Sequence, residues 1–394
     1  MARRSNAAAP SSNPMMEARW LRLVVVNALG AVLAAGCGHS SDVTSSSDAG
    51  SRDGSVSPDA GDEPGSETRK QPPVVVPAAD IVVETIAGSS TGGGADGVGA
   101  AAQFDNPVGV VLDASGAIFV TEYDGGRLRK VLPSGDTSTL ASGFTEPFAL
   151  LPTEHGIYVQ SDRDRNGDKG LNTGTIWKVG IGGGTPEVFI EGLGRPRGLA
   201  RLLDGRMVVS DRTRNTISIL DLSTKALTLL AGSGTAGFVD GRGAAAQFND
   251  PYGVAVLPDG SILVAESYNH VIRKVTLEGD VTVFAGEGVP GMKDDKDKSK
   301  ARFDGPIDVA VDAAGNAFVS DGGNHRIRRI STDGIVETVA GSGARGFADG
   351  VGAVAEFYGQ EQIDVTPDGK TIFVSDGNGG DGQPYHRVRR INVP

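Results

Sequence analysis

The stretch Pro251-Tyr-Gly-Val-Ala-Val256, followed by the turn Pro258-Asp-Gly260 and the run Ile262-Leu-Val-Ala-Glu266, decides the fold. The chain continues there as Asn269-His270-Val-Ile-Arg273-Lys274, and the same order of residue types returns from Pro306 to Arg329. Short runs of β-forming residues between Gly, Pro and Asp turns are typical of antiparallel strands. The stretch is therefore one unit of a β repeat.

Each unit is marked by the carboxylate that ends its second β run. The marker residues are Glu122, Asp162, Asp211, Glu266, Asp321 and Asp376. They predict six units of four strands, spaced 40 to 55 residues apart. Four-stranded units repeated at this period indicate a β-propeller.

The two ends of the repeat region predict how the ring closes. The sixth unit ends after its third strand, Arg387–Val393, whereas Ile81–Gly88 resembles the fourth-strand phrase Val336–Gly341. We expect the N-terminal strand to complete blade six, which leaves no sheet edge open where the chain ends. The predicted fold class is all-β, a six-bladed β-propeller closed by an N-terminal strand.

The triplets Asn269-His270-Val271 and Asn324-His325-Arg326 resemble NHL repeats, and the resemblance extends over about residues 80–394. It implies a six-bladed propeller that serves as a binding or scaffold module. Some members of the family are lyases or lactone hydrolases. The alternative function is therefore a metal-dependent lyase or hydrolase with its site in the central channel.

Composition excludes several classes of protein. Hydrophobic residues make up 39% of the chain, too many for a wholly disordered protein, and a single cysteine excludes a disulfide scaffold. The chain has 37 Lys and Arg against 49 Asp and Glu, so we expect no nucleic-acid partner. We also expect a monomer.

The N-terminal residues predict export. Arg19 and Arg22 precede an apolar stretch, Leu23–Ala35, that is too short to span a bilayer and ends just before Cys37. Residues 1–36 resemble a bacterial lipoprotein signal with Cys37 as the lipidated residue. The alternative is an ordinary signal peptide with an incidental cysteine. Residues 37–79 are rich in Ser, Asp, Gly and Pro, which predicts a disordered tether.

Localisation follows from this reading of the N-terminus. The lipid anchor would be the only membrane contact. The protein would be an exported lipoprotein of the outer membrane, either periplasmic or exposed at the cell surface.

Propeller geometry places two sets of loops on one face. The loops between strands two and three and the long Gly-rich connections between blades share that rim, because successive strands of a blade are antiparallel. Loops carry function more often than the scaffold does. We therefore expect a protein or glycan ligand on this loop-rich face.

The repeated carboxylates have a structural interpretation. Arg129, Arg273 and Arg328 each lie seven residues after a marker carboxylate, which is the spacing of a cross-strand ion pair. We therefore assign Glu122, Asp211, Glu266, Asp321 and Asp376 to the scaffold rather than to a metal ring.

Two other sets are candidate sites. Asp162, Asp164, Asn166 and Asp168 alternate like the ligands of a calcium loop, and the alternative is a solvated acidic loop. Calcium is the one cofactor that the sequence suggests. Asp308 and Asp364 are interpreted as replacements for the glycine of Pro-x-Gly, near the channel. They could ligate a cation or act as a base, or they could accept hydrogen bonds from a neighbouring blade's backbone.

Overall fold

The computed structural model describes residues 80–379 and 382–394, and these residues form a closed ring of six antiparallel sheets. The signal peptide, Cys37 and the tether lie outside the described residues. Within the described part of the chain, no helix is long and apolar enough to cross a membrane. The predicted six-bladed β-propeller is confirmed.

Blade one holds the first complete repeat and has five strands. The chain enters through β1 (Val82–Ser89), which belongs to blade six. Blade one then comprises β2 (Gly97–Val98), β3 (Pro107–Leu112), β4 (Ile118–Glu122), β5 (Arg127–Val131) and β6 (Asp136–Ser142). Strand β3 lines the channel, and the short β2 pairs with β6 at the outer edge.

Blades two and three have four strands each. Blade two comprises β7 (Pro147–Thr153), β8 (Gly156–Ser161), β9 (Gly174–Val179) and β10 (Glu187–Leu193). Blade three comprises β11 (Pro196–Arg201), β12 (Met207–Asp211), β13 (Thr216–Leu220) and β14 (Leu227–Ala231). Neither outer strand carries an additional short strand in the described sheets.

Blades four and five contain the clearest repeats. Blade four comprises β15 (Gly241–Arg242), β16 (Pro251–Val256), β17 (Ile262–Glu266), β18 (Val271–Val275) and β19 (Asp280–Ala285). Blade five comprises β20 (Pro306–Val311), β21 (Ala317–Asp321), β22 (Arg326–Ile330) and β23 (Val336–Ala340). Short 3₁₀ turns lie in the connections at Gly99–Ala101, Gly243–Ala245, Lys298–Lys300 and Gly322–Asn324.

Blade six joins the two ends of the chain. It comprises β24 (Gly350–Val351), β25 (Gly359–Val365), β26 (Thr371–Gly377) and β27 (His386–Asn392), with β1 as its fourth strand. Val83 pairs with Ile391 and Glu84 with Arg390 in an antiparallel register. The predicted closure is therefore confirmed, and the inner strands β3, β7, β11, β16, β20 and β25 contact one another in sequence around the ring.

The core lies between adjacent blades, because each blade is apolar on both faces. One cluster joins blades three and four through residues such as Ile217, Phe248 and Val264, which are fully buried. Equivalent clusters fill the other inter-blade spaces. A propeller with this core leaves only the loops and the channel for function.

Candidate functional site

The connections between blades divide the ring into two parts. Four are long and Gly-rich, and they cover residues 90–106, 232–250, 286–305 and 341–358, which precede blades one, four, five and six. The connections before blades two and three, residues 143–146 and 194–195, are short. We call blades four, five, six and one the clamped sector, and blades two and three the short-loop sector.

The long loops and the loops between strands two and three share one face, as predicted. The Asn324 side chain, in the β21–β22 loop, donates a hydrogen bond of 2.9 Å to the carbonyl of Gly291 in a long loop. Asn269 makes the same 2.9 Å contact with Gly237 in blade four. This loop-rich face is one mouth of the central channel.

A buried arginine holds each long loop in the clamped sector. Arg328 donates to the Asp321 carboxylate at 2.7 Å, to the carbonyls of Arg302 and Lys293 at 3.0 and 2.9 Å, and to Asp294 at 2.6 Å. The latter three residues belong to the long loop. The same contacts recur, and we call the four residues the clamp arginines: Arg129, Arg273, Arg328 and Arg389.

Each clamp arginine is fully buried and lies over a phenylalanine that ends its long loop. Distances from the guanidinium carbon to the ring centre are 5.0 to 5.4 Å, and the rings are Phe104, Phe248, Phe303 and Phe357. Burial raises the pKa of Glu266 to about 7 and that of Asp321 to about 6, although Arg273 and Arg328 act in the opposite direction. Glu266 and Asp321 thus form their hydrogen bonds with groups of the scaffold.

Strand register shows what replaces the clamp in the short-loop sector. Arg129 pairs with Val120, and the equivalent pairs are Trp177 with Val159 in blade two and Ser218 with Val209 in blade three. Phe144 packs edge-on against Trp177, with ring centres 6.1 Å apart. Without an arginine to bind it, a long loop has no anchor in these two blades.

The assignment of Asp162 as a marker carboxylate is wrong. Pro107 pairs with Glu122 in blade one, whereas Pro147 pairs with Ser161 in blade two. Ser161 thus holds the marker position, and its hydroxyl accepts a 2.8 Å hydrogen bond from the Trp177 indole. Asp162 occupies the next position, which turns its carboxylate toward blade three.

Asp211 is the marker carboxylate of blade three, but its hydrogen bonds come from backbone N–H groups, and its one ion-pair contact in the described residues is with Arg214 at 3.8 Å. It accepts hydrogen bonds from the N–H groups of Gly194 at 2.9 Å and Arg195 at 3.0 Å, which form the short connection before blade three. Asp376 pairs with Arg389 at 2.8 Å, a partner thirteen residues away that the spacing rule did not find.

The proposed calcium loop is not brought together around one point. Asp162 faces Arg195 and Arg197, whereas the Asp164 carboxylate accepts hydrogen bonds from the N–H groups of Asn166 at 2.8 Å and Asp168 at 2.9 Å. Across residues 80–379 and 382–394, no group of three or more His, Cys, Asp or Glu side chains is arranged to hold a metal ion. Calcium binding stays a prediction.

Asp364 does not occupy the glycine position of the repeat. Asp308 pairs with Ser320, as Gly109 pairs with Thr121, but Asp364 pairs with Phe373, as Ala310 pairs with Phe318. Gln362 holds the glycine position of blade six, because its N–H donates to Ser375 Oγ at 3.1 Å. The interpretation of Asp364 as a glycine replacement is therefore wrong by two residues.

Asp308 and Asp364 nevertheless both line the channel, around a cavity of about 220 Å³. Asp308 accepts a 3.0 Å hydrogen bond from the N–H of Ile363 in blade six, and Asp364 accepts one of 2.7 Å from Leu112 in blade one. Burial raises the pKa of Asp308 well above its usual value and that of Asp364 to about 6. These contacts are the backbone hydrogen bonds considered as the alternative to a catalytic role.

Asp308 also packs closely against the glycine of blade four. A Cβ on Gly253 would lie 1.8 Å from Asp308 Oδ1 and 2.7 Å from Asp308 Cα, so a side chain there would clash with both the carboxylate and the backbone. The residues that line the cavity include no histidine. His270 and His386 instead accept 3.0 Å hydrogen bonds from the N–H groups of Gly305 and Asn106, which join neighbouring blades.

A group of charged and aromatic side chains from blades one to four lies at the channel mouth on the loop-rich face. We call it the channel-mouth cluster, and it consists of Tyr123, Phe148, Asp162, Arg195, Arg197, Arg212, Asp250 and Tyr252. Asp162 accepts hydrogen bonds from Arg195 at 2.9 Å and Arg197 at 2.6 Å. Although burial favours its neutral form, these two arginines hold the pKa of Asp162 below its ordinary value.

Two arginines of this cluster are bound to aromatic rings. The guanidinium of Arg197 lies 3.9 Å from the ring centre of Phe148, and only 3% of the residue is exposed. Arg212 donates to Asp250 at 2.6 Å and to the Tyr252 hydroxyl at 2.6 Å. The rings of Phe148 and Tyr252 contact each other at 5.9 Å in front of blade three.

Of the residues in this cluster, the sequence pattern indicated only Asp162 as a candidate site residue. Most of its members follow the Pro of the repeat or the end of the second strand, positions where residue types vary from blade to blade. A signal was present: Arg197 and Arg212 replace residues that are apolar or small in most other blades, such as Val108 and Ile307, or Ser267 and Gly322. Two variable positions that become charged in the same blade indicate a site.

Comparisons with known proteins agree with the fold. The profile of the NHL repeat matches residues 248–274 and 303–330. Two curated relatives are the chloroplastic protein SUPPRESSOR OF QUENCHING 1 of Arabidopsis thaliana, 29% identical over 222 residues, and NHL repeat-containing protein 2 of Gallus gallus, 34% identical over 116 residues. The matches cover 53% and 29% of this chain but only 21% and 15% of those proteins.

A solved structure shows the same fold in a bacterial protein. An auxiliary nutrient binding protein of Bacteroides thetaiotaomicron aligns with 79% of this chain and 76% of its own, with a TM-score of 0.63 and 17% identity. The two segments matched by the NHL profile extend over β16 to β18 of blade four and β20 to β22 of blade five. The chain is therefore a six-bladed β-propeller that carries NHL repeats in blades four and five.

Proposed function

We propose that the chain is an exported binding module whose ligand is held at the channel mouth of the loop-rich face. The observation that carries this proposal is the channel-mouth cluster. Three arginines and two aspartates meet there with three aromatic rings, at positions that serve no repeat contact. Groups of this kind fix the orientation of a ligand in a concave site.

The energetics of Arg197 support the same assignment. A guanidinium that is 3% exposed and shares Asp162 with Arg195 loses most of its hydration. Such groups seldom stabilise a fold more than apolar residues would. Unlike the clamp arginines, Arg197 holds no long loop, so its burial supports a role in recognition.

The proposal also covers where the protein is located and which large partner it binds. We propose export through the lipoprotein-type signal, anchoring at Cys37 and presentation of the propeller on the tether of residues 37–79. The similarity to a nutrient-binding propeller supports an extracytoplasmic binding role, although it shows only the fold. A protein or glycan on the loop-rich rim remains our expectation for a large partner.

Ligand-observed NMR of the full chain tests this proposal. The probe is a library of free amino acids, monosaccharides and short peptides, measured by saturation transfer. We expect at least one compound to bind the wild type and to lose binding in Arg197→Gln. The control is Arg242→Gln, because Arg242 lies on the outer strand β15 with 68% of its side chain exposed.

Unchanged binding in Arg197→Gln would contradict the proposal. If every compound that binds the wild type also binds Arg197→Gln with the same affinity, the ligand is not held at the channel mouth. Retention of the wild-type circular dichroism spectrum in Arg197→Gln ensures that a loss of binding is not a loss of fold.

A further inference from the structure

One position of the inner strand faces the channel in every blade, directly after the residue that pairs with the marker position. Register fixes this position as Val108, Phe148, Arg197, Tyr252, Ile307 and Glu361. Four of the six are apolar or aromatic. The two charged residues have opposite signs and belong to blades three and six, which lie across the channel from each other in a ring of six.

Arg197 has unused hydrogen-bonding capacity. Its Nη2 donates to Asp162, whereas its Nε is buried and has no partner in the part of the chain that the structure describes. Asp162 also accepts from Arg195, so two guanidinium groups share one carboxylate. The Arg212–Asp250 pair is balanced, which leaves one unmatched positive charge on this wall of the mouth.

Glu361 is the unmatched negative charge on the opposite wall. Its side chain is partly buried and makes no hydrogen bond or ion pair with the described residues. Burial raises the pKa of Glu361, while the positive charges of Arg197 and Arg212 act to lower it. The carboxylate therefore interacts electrostatically with both arginines. A carboxylate in this position is costly for the fold unless something binds it.

We propose that the channel mouth binds a small zwitterion of the amino-acid type, with its carboxylate on Arg197 and its ammonium group on Glu361. This inference rests on the proposed function, because it names the class of ligand for the same site. The ammonium group would also lie near the Tyr252 ring, which lies between the two charged walls and can stabilise a cation.

The charge balance favours a zwitterion over a simple ion or a neutral sugar. An anion would satisfy Arg197 but would face Glu361, and a cation would satisfy Glu361 but would face three arginines. A neutral hydroxyl could bridge the two walls, yet it would leave both formal charges uncompensated in a partly buried site. A ligand that carries both charges compensates each wall.

Isothermal titration of the full chain with three matched probes tests the inference. Glycine carries both charges, acetate carries only the carboxylate and methylammonium carries only the cation. We expect saturable glycine binding, with acetate and methylammonium each at least about tenfold weaker. Equal affinities for glycine and acetate, or no saturable glycine binding, would overturn the inference.

Two variants distinguish recognition from a nonspecific charge effect. Glu361→Gln removes a partly buried carboxylate that has no hydrogen-bond partner among the described residues, so the thermal midpoint should stay the same or rise while glycine affinity falls at least about tenfold. Glu187→Gln removes an exposed carboxylate from the outer strand β10 and should bind glycine as the wild type does. Wild-type glycine affinity in Glu361→Gln would also overturn the inference.

The library screen separates this inference from the proposed function. If sugars bind and lose binding in Arg197→Gln while neither glycine nor any peptide binds, the mouth is the binding site and its ligand is not a zwitterion. If no compound depends on Arg197, both proposals fail.

Discussion

Blades four, five, six and one differ from blades two and three in how they use arginine. In the clamped sector, each buried arginine binds a marker carboxylate and the carbonyls of a long loop, as Arg328 does with Asp321, Arg302 and Lys293. In the short-loop sector this position is Trp177 or Ser218, and the buried guanidinium is Arg197 at the channel mouth. Arginines that recur at the same position in several blades therefore hold the scaffold, whereas a buried arginine that occurs in one blade, Arg197, indicates the site.

The largest expected effect is a loss of stability on replacing a clamp arginine, compared with replacing the equivalent residue of blade three. Arg273→Met leaves the buried Glu266 without its ion pair and two loop carbonyls without donors, so we expect a loss of about 3–5 kcal/mol in the free energy of unfolding. Ser218→Ala changes the equivalent position of blade three and should cost less than about 1 kcal/mol. Urea unfolding of the full chain measures both, and equal losses would contradict the division into sectors.

A second prediction compares blade six with blade five at one channel position. Asp364 corresponds to Ala310, and burial raises the pKa of Asp364 to about 6 from a usual value of 3.8. The folded state therefore keeps this proton to higher pH than the unfolded state does. The stability from this group is full below pH 3.8 and is lost as the pH rises through about 6.

The measurement is the difference in unfolding free energy between the wild type and Asp364→Asn. We expect this difference to fall by about 2 kcal/mol from pH 4 to pH 7, because only the wild type titrates at this position. Urea unfolding at several pH values measures it. A difference that is constant with pH would show that Asp364 is ionised in the folded protein at all of these values.

The smallest expected effect concerns the exposed end of a clamp. Asp240 binds Arg273 at 2.6 Å, but 52% of its side chain is exposed. Asp240→Asn should cost less than about 1 kcal/mol, because solvent screens such a pair. Hydrogen exchange should nevertheless become faster in residues 232–250, while the exposed control Asp204→Asn leaves that loop unchanged. Unchanged exchange in Asp240→Asn would mean that backbone contacts alone hold the loop.

The sequence predicted the parts of the fold that repeat. Six units, closure through residues 81–88 and the ion pairs of Arg129, Arg273 and Arg328 all follow from a period that is visible in the chain. Asp162 was misplaced because Pro147 and its partner Ser161 are 14 residues apart, whereas Pro107 and Glu122 are 15 apart. Asp364 was misplaced because blade six has Gln360 where the other blades have Pro. Counting residues from blade to blade cannot find such a change of register.

The candidate site depends on ring closure, which the linear sequence does not display. Arg197 and Glu361 are 164 positions apart by number, and each looks like one more variable residue in its repeat. Only the closed ring of six places them across the channel from each other. The signal becomes visible when the repeats are aligned by strand register and compared three blades apart.

Hydrogen exchange of the full chain with and without saturating glycine tests the central claim, that the ligand site lies at the mouth rather than on the clamped loops. We predict slower exchange around Arg197, Arg212 and Glu361, with little change in residues 286–305 and in residues 232–249, which precede Asp250 of the channel-mouth cluster. Protection confined to those long loops, or no change around Arg197 and Glu361, would contradict the account.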